Sequence, residues 1–114
     1  MTEYLYAEEG PGVRFAIARA AVEAVVADAA LGVPGALGVP GLLSRLPGRR
    51  PTPRIELVVR ERQLFVRVGL AVRHGTVIPE LGRAVQESVR AAAEHATGLT
   101  VSAVDIRVEA VEPR

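Results

Sequence analysis

From Leu64 to Val72 apolar residues fall at every second position, with Phe65, Arg67, Gly69, Ala71 and Arg73 alternating against Leu64, Val66, Val68, Leu70 and Val72. This is the cleanest period-two run in the chain and predicts a strand with one buried face. Ile55, Leu57 and Val59 alternate in the same way with Glu56, Val58 and Arg60, and a turn near Glu61-Arg62 joins the two runs as an antiparallel hairpin. A third run sets Val104, Ile106, Val108 and Ala110 against Ala103, Asp105, Arg107 and Glu109. Val101 is out of phase with it, which predicts a bulge or a late strand start. Nearer the start, Val13, Phe15 and Ile17 alternate with Arg14 and Ala16, enough for a brief strand. The polar Thr2–Glu9 stretch before it closes in a Gly10-Pro11-Gly12 turn.

Between the second and third runs the period changes. Leu81, Val85, Ser88, Val89, Ala92 and Ala96 recur at three- and four-residue steps, one buried stripe of a helix. Pro79 suits its first position, where a missing N–H costs nothing. Gly98 suits its end, where a left-handed residue is wanted. Glu80, Arg83, Glu87, Arg90 and Glu94 occupy the other side with alternating signs, so neighbouring turns are expected to pair. With a strand on either side, this helix reads as a crossover packed on a sheet. A second, Ala-rich helix is predicted over residues 18–31, with Val22, Val25, Val26 and Ala29 inward and Arg19 paired to Glu23.

The elements run β(short)-α-β-β-α-β. Each long strand has one apolar face, and both helices can cover it. The expected fold is α+β: a two-layer sandwich with two helices on one face of a small, mostly antiparallel sheet, as a single domain over residues 1–114. The other face would carry Glu56, Arg60, Phe65, Arg67, Arg73, Asp105, Arg107 and Glu109. Opposite charges at cross-strand distance can satisfy one another, which by itself accounts for such a face. Its functional reading is a contact surface built on Arg60, Phe65, Arg67, Arg73 and Arg107. A protein partner fits it better than RNA, because sheet readers of RNA stack bases on two or three aromatics and only Phe65 is available.

Residues 32–53 gather most of the prolines among glycines and arginines, a loop longer than compact domains usually hold. Within it LGVPGA and LGVPGL follow one another. The plain reading is a duplicated turn spacer. The functional one is a docking loop using Leu42, Leu43, Leu46, Arg49 and Arg50. Each GVPG has the Gly-x-x-Gly spacing of a nucleic-acid clamp, but the internal proline withholds an N–H that a phosphate would need.

Composition narrows the chemistry. There are no cysteines among the 114 residues, which removes disulfides, thiolate catalysis and thiolate-bound metals. A formal net charge of +1 gives no general drive toward nucleic acid or anionic lipid. No apolar run has the length of a membrane span and no signal peptide opens the chain, so a cytoplasmic location is expected. His74 and His95 have no evident partner, and Glu94-His95 adjacency lacks the spacing with which helical ligands share a face. No catalytic, cofactor-binding or metal-binding set is expected.

The run from GLAVRHGTVIPELGRAVQESVRAAAEHATGLT to VSAVDIRVEAV resembles the signature of the alkaline shock protein family, the Gls-type general-stress proteins of bacteria. The matching pieces are Val72, His74-Gly75, Ile78-Pro79, Val85-Gln86, Thr97-Gly98-Leu99 and the strand from Val104 to Val108. More loosely, Gly32-Val33-Pro34-Gly35 matches the family turn after its first helix. The resemblance spans residues 12–111. His74, Ala96 and Asp105 depart from the usual Tyr, Met and Asn, and the second GVPG is an insertion. The resemblance implies a non-enzymatic protein of general stress and cell-envelope homeostasis. Such a protein acts by homo-oligomerisation and through protein partners, and a membrane-anchored partner can hold it at the inner face of the membrane. A nucleic-acid accessory domain using the arginines of the sheet face is the alternative.

Overall fold

The computed structural model describes residues 1–113, the side chains of Leu42 and Leu43 excepted. Strands β1 (Tyr4–Gly10) and β2 (Val13–Ala18) form an antiparallel hairpin. Helix α1 (Arg19–Leu31) follows, then the two-residue strand β3 (Ala36–Leu37) and a 3-10 turn at Leu42–Arg45. Strands β4 (Arg54–Arg60) and β5 (Gln63–Arg73), helix α2 (Ile78–Thr97) and strand β6 (Thr100–Glu112) complete the chain.

The centre of the main sheet is β5. Strand β6 runs parallel to it along one edge, and β4 then β3 share the other edge in antiparallel register. The parallel pairing is what a β5–α2–β6 crossover requires, because only a helix-length connection can return a strand in the same direction. Val22, Val26 and Ala30 of α1 and Leu81, Val85, Val89 and Ala93 of α2 meet Leu57, Leu64, Val66, Val68, Leu70, Val72, Val101 and Val104 in one contiguous core. Both helices therefore lie on one side of the sheet. Ser88 ties them directly, donating to the Ala29 carbonyl at 2.9 Å.

Helix α2 starts and stops as its sequence predicts. Pro79 stands in its first turn, and Gly98 closes it at φ 72° while its N–H donates to the Glu94 carbonyl. Thr97 is buried yet satisfied, because its hydroxyl bonds the Ala93 carbonyl at 2.7 Å and accepts the Leu99 N–H at 3.1 Å. The surface of α2 differs from expectation. The alternating charges form no ion pairs along the helix among the described residues; Arg90 and Glu94 reach β6 instead. In α1, Arg19 likewise leaves Glu23 and binds Glu3 at 2.6 Å. Tertiary partners with fixed geometry outcompete flexible pairs along a wet helix face, which contribute little.

The N-terminal stretch is a strand, not a polar lead-in. Tyr4, Leu5 and Tyr6 begin β1, and a register shift there lets Leu5, Tyr6 and Ile17 pack on the core. Arg62 clamps the hairpin from the β4–β5 turn. Its guanidinium donates to the Tyr6 hydroxyl at 2.7 Å and to Glu8, and lies 5.8 Å from the Tyr6 ring centre. Residues 32–53 are also more ordered than a free loop. Gly35 accepts the Arg73 N–H at 2.9 Å, β3 pairs with β5, and Val39 bridges Thr52. The two GVPG copies are not equivalent: Gly35 turns the chain at φ 92° while its counterpart Gly41 has no positive φ, and a Cβ at Gly38 would overlap the Pro51 carbonyl while one at its counterpart Gly32 meets only ordinary contacts.

Candidate functional site: the outer face of the sheet

The alternation along β4, β5 and β6 fixes what looks away from the helices. Arg54, Glu56, Val58 and Arg60 of β4 stand opposite Gly69, Arg67, Phe65 and Gln63 of β5, and Phe65, Arg67, Gly69 and Arg73 stand opposite Ala103, Asp105, Arg107 and Glu112 of β6. Five of these, Arg60, Phe65, Arg67, Arg73 and Arg107, are the expected contact residues. Arg67 is central among them, one strand away from both Glu56 and Asp105.

Charge on this face is paired across strands. Arg67 bonds Glu56 at 3.3 Å and Asp105 at 3.2 Å, and Arg107 bonds Asp105 at 3.1 Å. The Arg107 guanidinium, then that of Arg67, holds the Asp105 carboxyl below its ordinary range, and Asp105 raises Arg107 in return. Arg54 pairs with Glu109 at 3.3 Å. This second pair crosses Gly69, where a Cβ would run into the Glu109 carboxylate. Glu109 reaches that position because β6 shifts register between Leu70 and Ala71, leaving Glu109 as the extra residue of a bulge. A second shift, between Leu64 and Phe65, accounts for the phase break at Val101. With three of its five arginines, Arg54, Arg67 and Arg107, committed to carboxylates, the face is a mixed lattice and not a basic patch, and phosphate finds little free positive charge there.

Beside the ion row lies an apolar strip. Val58 is opposite Phe65 and Phe65 opposite Ala103, so three strands contribute one side chain each. Val58 is 46% exposed and Phe65 36%. A shallow concavity of about 220 Å³ follows this strip, and another of about 410 Å³ lies over Gly69 between Arg54 and Arg107. Val58 and Ala103 were not among the expected contact residues. The signal for Val58 is its break in the polar side of the β4 alternation; Ala103 has none, since a small residue on a wet face is unremarkable.

Leu46, Arg49 and Arg50 are exposed, while the side chains of Leu42 and Leu43 lie outside the described residues. Ser44 closes the short turn there, donating to the Gly41 carbonyl at 2.7 Å. His74 and His95 are exposed and line neither concavity of the sheet face. Among the described residues no three His, Asp or Glu side chains gather as metal ligands.

The profile of the alkaline shock protein 23 family, described as having a cell envelope-related function, matches residues 9–113. The chain belongs to this family. No curated protein matches it. Among solved structures it is similar to forms of the MamM CTD. One single-substitution variant superposes with a TM-score of 0.53 at 18% identity, over 82% of this chain and 99% of the other. A zinc form gives 0.52 at 18% identity, covering 82% and 87%, and a cadmium form 0.52 at 19%, covering 82% and 96%. At such identities the likeness is one of fold. No helix among the described residues is long and apolar enough to cross a membrane.

Proposed function

We propose that this family member is a non-enzymatic module of general stress and cell-envelope homeostasis. It self-associates and binds protein partners, one of them membrane-anchored and able to hold it at the inner face of the membrane. The outer face of the sheet is the surface for the partner. The observation that carries this is the Val58–Phe65–Ala103 strip beside the Glu56–Arg67–Asp105–Arg107 row. An apolar centre with a charged rim is the arrangement of protein–protein contacts, in which a central aromatic contributes most of the energy and the rim sets orientation. Support against catalysis is positional: the face is open, Glu56, Asp105 and Glu109 are engaged by arginines, and neither histidine lines its concavities.

Fractionation of the native cell tests this. The wild type is expected to sediment with membranes and to leave them when the anchored partner is removed. Phe65→Asp with Arg67→Glu should appear in the supernatant with its circular dichroism intact. A double variant that stays with the membranes would remove the sheet face from the reading. A wild type that never sediments would remove the recruitment.

A further inference from the structure

A sheet edge presents unpaired N–H and C=O groups, and proteins keep them from pairing by covering them. Both edges of the main sheet carry such guards. On β4, Arg19 donates from the first turn of α1 to the Leu57 carbonyl at 2.7 Å. On β6 the guards come from one stripe of α2. Glu94 accepts the Val101 N–H at 2.9 Å, Arg90 donates to the Val101 carbonyl, and Gln86 donates to the Val104 carbonyl at 3.0 Å.

These bonds define which way the β6 backbone faces. Val101 and Val104 turn their polar groups away from β5. The register with β5 is unbroken from Val104 to Val108, so Ile106 and Val108 present theirs on that same outer side. No side chain among the described residues bonds them. The guard stops half-way along the strand.

We infer that the unguarded half of β6 pairs antiparallel with the same segment of a second copy, joining two sheets across a two-fold axis. This rests on the reading of the chain as a self-associating module and names the surface that does it. Charge selects both the occupant and the register. A pairing that keeps both helical layers on one side must centre on a residue. Centred on Arg107 it sets that arginine against itself and Asp105 against Glu109. Centred on Glu109 it sets two glutamates together. Centred on Ile106 it extends the partner as far as Val101, whose N–H and carbonyl α2 already holds both. Centred on Val108 it places Arg107 opposite the second copy's Glu109 and Glu109 opposite its Arg107, two opposite-charge pairs from one symmetric contact. Val77, Ile78 and Val111, which are 56%, 39% and 50% exposed, stand at this end of the sheet and give the junction apolar surface to bury.

Sedimentation velocity across a concentration series reads the outcome. The wild type is expected to be a dimer or larger. Arg107→Glu and Glu109→Arg each bring like charges together across the axis, and each is expected to weaken dimerisation about tenfold or more. Mixed in equal amounts the two should recover a dimer, because the new acid of one copy meets the new base of the other. Val108→Pro removes an outward N–H without touching the β5 ladder, so it should be monomeric alone and in any mixture. Circular dichroism identifies a variant that fails to fold, and Val108→Pro then decides with the remaining variant. An oligomer unchanged by all three substitutions, or single variants that dissociate without recovery on mixing, overturns the β6 pairing and leaves self-association standing. A wild type that is monomeric throughout the series overturns both.

Discussion

Leu64 and Phe65 are neighbours in β5 and live in different media. Leu64, like Val68 and Leu70, is 0% exposed, sealed under two helices. Phe65 is 36% exposed and shares its face with ion pairs whose side chains are mostly in water. One face of the strand holds the fold together through apolar area removed from water. The other holds little, since exposed ion pairs are screened and their side chains lose freedom when fixed. A face that contributes little to stability can be altered for partner choice without endangering the fold. That separation of duties within one strand is what makes a small domain suitable for contact.

The contrast can be broken most directly by shortening one neighbour and then the other. Leu64→Ala should cost about 2–5 kcal/mol, the range for a fully buried leucine that leaves a cavity. Phe65→Ala should move a denaturant midpoint far less, and equal losses would show that the outer face also carries the core. Gly38→Ala comes next. Its Cβ would meet the Pro51 backbone, so the Val39–Thr52 bridge must open, at a cost of about 1–3 kcal/mol. Protection of the Val39 amide in hydrogen exchange, where the donor bonds Thr52 at 3.1 Å, reports that opening. Gly98→Val sharpens the helix end on the inner side. A β-branched residue at φ 72° pays about 1–2 kcal/mol, read as a lowered denaturant midpoint.

The smallest effects belong to the outer face. Asp105 is held below the ordinary carboxyl range in the folded chain, chiefly by its hydrogen bonds to Arg107. A depressed folded pKa contributes stability that is present above the unfolded value of about 3.9 and disappears as pH falls through the folded value. A carboxyl-detected NMR titration should therefore show Asp105 ionising below that reference. Arg107→Gln should return it most of the way, with Arg67 supplying the remainder. Arg67→Gln should change stability by no more than ordinary surface substitutions do, and any change should shrink with added salt.

Much of this architecture was legible in local sequence. The period-two runs placed β4, β5 and β6, and the phase break at Val101 announced a real register shift. Pro79 and Gly98 bracketed α2 because proline and glycine act through their own backbones and need no partner. The buried stripe of α2 was read slightly off: Ala93 and Thr97 take the inner positions, with Ala92 partly buried and Ala96 exposed. A run of alanines carries almost no phase information, so packing chooses among them. Strand β1 was missed because Glu8 and Glu9 make its outer half polar, and its pairing with β2 depends on a turn whose hairpin lies outside the main sheet. The residues expected on the outer face lie there, but Arg54, Val58 and Ala103 join them unannounced. The Val58–Phe65–Ala103 strip was not legible, since it exists only when three separate strands are laid in register.

What the sequence determined alone was which positions are oily, at what period, and where a backbone without a Cβ or an N–H must stop an element. Those are properties of single residues and near neighbours. Only the tertiary structure decided where the long side chains of α1 and α2 go. Arg19, Arg90 and Glu94 abandon partners on their own helices and, with Gln86, bind backbone groups or carboxylates on other elements, which determines which stretch of sheet edge remains open. A flexible charged side chain has many partners within reach of its own helix, each worth little. The fold offers it a fixed polar group in a partly dried site, and that bond is stronger.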